Sequence, residues 1–297
     1  VRKRLHCKRC SGDAARYLPK QRMTSRTALL VHASRHAAAA LGAAALGAAA
    51  LRVGNFALAV RSAAARARLG RAWSRPLPDA PVMLVLGDSL AVGLGAQRPA
   101  DTIAGQLAAD YPHVSLVNRA RCGARTQEVL AQLAQHAPDA STCAIWMSTG
   151  GNDVLANTRP ALLREQVRAA LAACRARTDT VVVTGTANVG LAPLFFWPVS
   201  RVLSDRTRRV RDLLRAECER SGAQFVDFFH EADTDPFSRE PERFFGPDGV
   251  HPSGECYRHC YAQILRTTRL HAALSSARAT AHPAPRLAFA PACALPR

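Results

Sequence analysis

The chain has 297 residues, 48% of them hydrophobic and 21% charged, with a formal net charge of +18. That length accommodates two domains, or one large domain with an extension, and buries a core without help from disulfides. The apolar fraction excludes wholesale disorder and a collagen-like fibre.

The charge is unevenly spread. Residues 1–80 carry 16 Lys/Arg against only Asp13 and Asp79, a net of +14, whereas the rest of the chain nets +4. A basic extension on a nearly neutral domain argues against a nucleic-acid partner for that domain. Residues 1–35 are basic and polar without a hydrophobic period. Cys7 and Cys10 form a lone Cys-x-x-Cys, lacking the second pair that a zinc site needs, so no metal is expected there. Residues 36–60 are Ala-rich and carry one charge, Arg52.

A membrane span wants about 20 strongly apolar residues and alanine is a weak membrane former, so this run is borderline. We read residues 36–60 as membrane-associated, with orientation open because both flanks are basic. The alternatives are a signal peptide and an Ala-rich helix of a cytoplasmic protein. Arg75-Pro76-Leu77-Pro78-Asp79 reads as a linker, since its prolines do not fit inside a helix. The expected organisation is an extension over 1–80, a main domain over 81–275 and a loosely ordered Ala/Pro-rich tail over 276–297.

From Pro81 onward, short apolar runs alternate with helical stretches. Strands are expected at Val82–Leu86, Val114–Asn118, Cys143–Thr149, Thr180–Thr184 and Gln224–Phe228. Helices are expected at Thr102–Tyr111 behind an Asp101 cap, Thr126–His136, from Thr158 and Pro160 to about Arg175, from a Ser204 cap to Ser221 with Gly222 as the stop, and Ser253–Leu274. Five strands alternating with helices predict an α/β fold with a parallel sheet covered on both faces. Cys256 and Cys260, four apart on the last helix, read as two half-buried thiols rather than a metal site.

In an open parallel sheet, ligands bind beyond the carboxyl ends of the strands. Four polar clusters fall there: Gly87-Asp88-Ser89-Leu90, Arg121-Cys122-Gly123, Gly150-Gly151-Asn152-Asp153, and Asp248-Gly249-Val250-His251 before the last helix. They supply a hydroxyl, an imidazole, a carboxylate, an amide and exposed backbone N–H groups, the parts an acyl-transfer hydrolase needs. This ordered set resembles the SGNH (GDSL-type) hydrolase superfamily, matching its four blocks at Ser89, Gly123, Asn152 and His251, with Asp248 three residues before the histidine. The resemblance runs from about Val82 to about Leu274. It implies a flavodoxin-like three-layer sandwich, no metal, and hydrolysis of ester-type bonds. The run from Asn188 to Pro198 is similar to a bacterial subgroup of unassigned substrate. The absence of a Walker-type loop and of a Rossmann glycine fingerprint implies no nucleotide cofactor.

The chemistry can also be read from the residues. A serine hydroxyl such as that of Ser89 is a poor nucleophile until a base takes its proton, and imidazole titrates in the right range for His251 to do so. Asp248 can accept the Nδ1 proton and fix the tautomer. The backbone N–H groups of Ser89 and Gly123 and the side-chain amide of Asn152 are the expected oxyanion donors.

Each assignment has a rival. Ser89 could cap the following helix, Gly123 could be a turn glycine, Asn152 a capping residue, and His230 a competing base. The apolar loop with Leu194, Phe195, Phe196 and Trp197 could line a substrate pocket, dip into a membrane surface, or pack over the sheet edge. Arg206, Arg208, Arg209, Arg211 and Arg215 read as a solvated helix face. The sequence therefore predicts a serine hydrolase of carboxylic esters acting on a small acylated substrate. A glycan O-deacetylase would differ in having a shallow polar cleft instead of an apolar slot, and a third alternative is a catalytically silent flavodoxin-like binding domain.

Overall fold

The strand segments are uninterrupted apolar runs, so both of their faces must be covered. In a computed structural model, which describes residues 25–137 and 142–277, they form β1 (Val82–Gly87), β2 (Ser115–Asn118), β3 (Thr142–Ser148), β4 (Val181–Thr184) and β5 (Gln224–Val226). All pairings are parallel and the order is β2-β1-β3-β4-β5. Cys7, Cys10 and the tail beyond Ala277 lie outside the described residues.

The helices are α1 (Ser25–Leu69), α2 (Ser89–Val92), α3 (Ile103–Asp110), α4 (Val129–Ala134), α5 (Gly151–Ala156), α6 (Pro160–Arg175), α7 (Val199–Ser221), α8 (Pro241–Phe244), α9 (Gly254–Thr267) and α10 (Leu270–Ser276). The two-residue period of the strands divides the core. Met83, Val85, Ala144 and Trp146 face α3, α9 and α10, whereas Leu84, Leu86, Ile145 and Met147 face α4, α6 and α7. This is the three-layer, flavodoxin-like sandwich the resemblance implies. On the second face, the buried Glu217 carboxylate of α7 accepts from Arg168 Nε of α6 at 2.8 Å, tying the two helices together.

Several boundaries differ from the sequence reading for identifiable reasons. The cap of α3 is Thr102, whose Oγ1 accepts from Gly105 N at 3.0 Å; Asp101 instead pairs with Arg98. Helix α7 starts five residues before Ser204, because Leu203 is buried and continues the stripe of Thr207, Val210 and Leu214. The last helix breaks at Thr268, which is extended and whose Oγ1 accepts from Leu270 N to start α10. Gly222 ends α7 in the left-handed conformation at φ 73°.

The described residues divide into two units, with the boundary between Asn55 and Phe56. The stretch Ala39–Leu69 of α1 is 31 residues of a helix long and apolar enough to cross a membrane. At 1.5 Å per residue it exceeds the roughly 30 Å hydrocarbon core of a bilayer.

The segment expected to be a linker is bound to the sheet edge. Arg75 exchanges backbone hydrogen bonds with Leu116 of β2 at 2.9 and 3.0 Å. Its guanidinium donates to the carbonyls of Ala108, Tyr111 and Val114, closing the C-terminal end of α3. Arg75→Ala should therefore lower the unfolding free energy by about 2 kcal/mol, since a charged donor satisfies carbonyls that would otherwise lose their partner. Denaturant unfolding checks this, and an unchanged midpoint would show that the segment is a passive tether.

Candidate active site

The order β2-β1-β3 reverses direction at β1, so a crevice opens between the carboxyl ends of β1 and β3. Ser89 follows β1 and Asn152 follows β3, which places both residues at that crevice. The turn out of β1 is crowded. Gly87 has φ 123°, and a side chain there would put its Cβ 1.9 Å from the carbonyl oxygen of Ser148. The buried Gln132 of α4 clamps the same residue in both directions. Gly87 N donates to Gln132 Oε1 at 2.6 Å, and Gln132 Nε2 donates to Gly87 O at 2.9 Å.

Asp88, not Ser89, caps α2: its Oδ1 accepts from Leu90 N and from Ser148 Oγ, each at 3.0 Å. Burial pushes the Asp88 carboxyl up to about 6, against the hydrogen bonds from Leu90 and Ser148. Ser89 is thereby released from capping. Its Oγ lies 2.9 Å from His251 Nε2, and His251 Nδ1 lies 2.7 Å from Asp248 Oδ2.

Asp248 is held by its own turn. Its Oδ1 accepts from Val250 N and His251 N, both at 3.0 Å. Burial alone would raise its carboxyl, but the His251 ring and these two N–H groups outweigh that and hold it down at about 2. Asp248 is therefore a carboxylate at neutral pH, so Nδ1 carries the proton toward it and Nε2 is left as the acceptor facing Ser89. His230, the rival base, does not line the cavity with Ser89, and its backbone carbonyl accepts from Asn188 Nδ2 at 3.1 Å.

Asn152 lines the same cavity as Ser89 and His251, and its amide donates one of its two N–H bonds to Ala124 O at 2.9 Å. The second N–H is not used by that contact. Gly123, with φ 79°, makes the turn just before Ala124. Burial, reinforced by Asp88, pushes the thiol of the adjacent Cys122 up to about 11.

A buried polar network invisible to local motif reading joins the two loops. Asp153 Oδ2 accepts from Thr126 N at 3.0 Å and from Thr126 Oγ1 at 2.8 Å, while its Oδ1 accepts from Thr158 Oγ1 at 2.8 Å. Thr149 Oγ1 completes the group 2.8 Å from Thr126 Oγ1.

A cavity of about 80 Å³ lies at Ser89, His251 and Asn152, walled by Leu155, Val189 and Ala192. Leu194, Phe195, Phe196 and Trp197 are not among its walls. Phe195 packs on the core face shared by α6 and α7 and against Phe56, while Trp197 is 76% exposed. The loop serves the site through its backbone: Leu194 N donates to Gly249 O at 3.0 Å, bracing the Asp248–His251 turn. Most of the α7 arginines read as a solvated face are paired. Arg208 bonds Asp205 and Glu231, and Arg211 and Arg215 both bond Asp227.

A family model for the GDSL-like lipase/acylhydrolase family matches residues 85–259. Among solved structures, the chain is similar to a member of the lipolytic protein G-D-S-L family from Veillonella parvula, at 17% identity and a TM-score of 0.51, over 62% of this chain and 96% of that one. It is also similar to a lipase/acylhydrolase from Enterococcus faecalis, at 18% identity and a TM-score of 0.50, over 68% of this chain and 99% of that one. The comparison with curated proteins returns no match. The structural likenesses carry the fold, and the family match carries the class: the chain belongs to the GDSL-like lipase/acylhydrolase family and is an ester-hydrolysing enzyme.

Proposed function

We propose that the domain over 81–275 is a serine hydrolase of carboxylic esters in which Ser89 attacks the acyl carbon, His251 moves the proton and Asp248 orients and charges-balances the imidazole. The observation that carries this reading is the continuous chain from Ser89 Oγ to His251 Nε2 at 2.9 Å and from Nδ1 to Asp248 Oδ2 at 2.7 Å. As Ser89 Oγ bonds to the carbonyl carbon, its proton passes to Nε2, and the imidazolium is stabilised by the ionised Asp248. The negative charge arriving on the carbonyl oxygen meets the N–H groups of Ser89 and Gly123 and the second N–H of Asn152. His251 then gives the proton to the departing alkoxide. Water, deprotonated by the same imidazole, cleaves the acyl-serine and restores the enzyme. The test is hydrolysis of a series of acyl esters by the wild type and by Ser89→Ala. Activity indistinguishable between the two proteins removes the reading.

We further propose that the chain is membrane-associated through residues 36–60. The apolar stretch Ala39–Leu69 supports this, together with its basic end at Arg61, Arg66 and Arg68. An alkaline wash of membranes from expressing cells should leave the full chain in the pellet, and its quantitative release would contradict the assignment.

His251→Ala should reduce kcat by about 10³-fold or more, because Ser89 then has no base. Asp248→Asn should approach the same loss, on the order of 10³–10⁴, since an amide disfavours the tautomer that leaves Nε2 free. Steady-state kinetics on both variants check the pairing, and near-wild-type rates in either would break it. Asn152→Ala should lower kcat by about 10²–10³ with little change in KM, as charge develops on the carbonyl oxygen only during attack. A normal kcat with a lowered melting temperature would instead make Asn152 a loop anchor acting through Ala124.

A further inference from the structure

The arginines of α7 fall into two sets. Arg208, Arg211 and Arg215 are held by Asp205, Glu231 and Asp227. Arg206 and Arg209, three residues apart and so on one face of the helix, are not. They line a cavity of about 660 Å³ together with Arg159, the residue that precedes α6. Among the described residues, none of these three guanidiniums has an ion pair or a side-chain hydrogen bond.

The acids that line the cavity are already engaged. Asp153, buried in its wall, accepts from Thr126 and Thr158. Asp212 pairs with Arg211 at 3.2 Å. Arg164, the fourth arginine of the lining, reaches Glu217 at 3.3 Å, but that carboxylate also takes Arg168 at 2.8 Å and Arg220 at 2.9 Å. One acid thus faces three cations and neutralises none of the remaining three. The first turn of α6 holds no acidic residue and receives no side-chain cap, so the positive end of that helix adds to the imbalance. Like charges gathered at a concave site repel one another and concentrate anions there.

The kind of anion follows from the number of guanidiniums. A carboxylate presents two oxygens on one edge and is matched by a single guanidinium fork. A phosphate ester carries about −1.5 to −2 charges and three acceptor oxygens around one centre, so several guanidiniums can bond it together. Val154, Leu163, Val210 and Leu213 give the same cavity an apolar wall, which suits hydrocarbon attached to such a group. Ser89 and His251 do not line it. Helix α5 contributes to both cavities: Val154 and Asn157 line this one, and Asn152 and Leu155 the one at Ser89.

We propose that Arg159, Arg206 and Arg209 form a binding site for a phosphate-type anion between the start of α6 and α7. Binding there is non-covalent and does not depend on the serine-esterase reading.

The test is calorimetric titration of the full chain in uncharged detergent micelles, with ionic strength held constant by chloride. The ligands are inorganic phosphate and monododecyl phosphate, neither of which contains a carboxylic ester. Arg206→Gln and Arg209→Gln should each weaken binding by about 10-fold or more, since a charged hydrogen bond is lost. Arg201→Gln removes the same charge from an exposed position of the same helix outside the cavity, and should change affinity by less than about 2-fold. Similar affinities for the two ligands support the site with free phosphate as its occupant. Much tighter dodecyl phosphate supports it with a lipid headgroup in that place. Three results overturn the proposal: no binding of either ligand, binding unchanged in Arg206→Gln and Arg209→Gln, or an equal loss in Arg201→Gln. The last would mean that the arginines act only through their general field.

Discussion

The arrangement depends on the turn that carries the chain from β1 into α2. A strand buried on both faces ends at a residue whose Cβ would collide with the Ser148 carbonyl, so the backbone can pass there only as glycine. Gln132 then bonds both the N–H and the C=O of Gly87, the latter shared with Arg121 N at 3.0 Å, so the polar groups of this tight buried turn are satisfied. With the backbone fixed, Asp88 takes the capping role and the next side chain, Ser89, points its hydroxyl at His251 instead of at the helix. Because Asp88 carries the cap, Ser89 is not needed for it.

The remaining groups are held with comparable economy by elements from across the sheet. The Asp248 turn satisfies its own carboxylate with two backbone N–H groups, and Leu194 braces it from the loop after β4. Asp153 gathers two threonine hydroxyls and a backbone N–H behind Asn152, joining the loop after β2 to that after β3. Such a network is rigid only while every member is satisfied, so Thr126 and Asp153 hold together the loops from which Asn152 projects.

The layers of the fold were legible because the strands are apolar without alternation and the helices between them are amphipathic. The four polar clusters could be placed at the strand ends for the same reason, and the structure brings Ser89, Asp248 and His251 together. What local reading missed was set by distant partners. Arg75 looks like part of a Pro-rich linker until its guanidinium is seen on three carbonyls of α3 and the segment after it. Gln132 sits 45 residues from the glycine it clamps. The early start of α7 reflects burial of Leu203, which outweighs the capping preference of Ser204. The aromatic loop of Leu194 to Trp197 has pocket-like composition, yet Phe195 packs on the core, Phe196 and Trp197 are exposed, and the backbone N–H of Leu194 supports the His251 turn.

The central claim is that Ser89 is an activated nucleophile and not a turn serine, and covalent capture tests it most directly. A fluorophosphonate incubated with the intact chain, followed by peptide mass analysis, should modify Ser89 stoichiometrically, because the chain to His251 and Asp248 removes its proton as the phosphorus is attacked. Labelling should be slowed by orders of magnitude in His251→Ala. An unmodified Ser89, or equal labelling rates in the wild type and His251→Ala, would contradict the account.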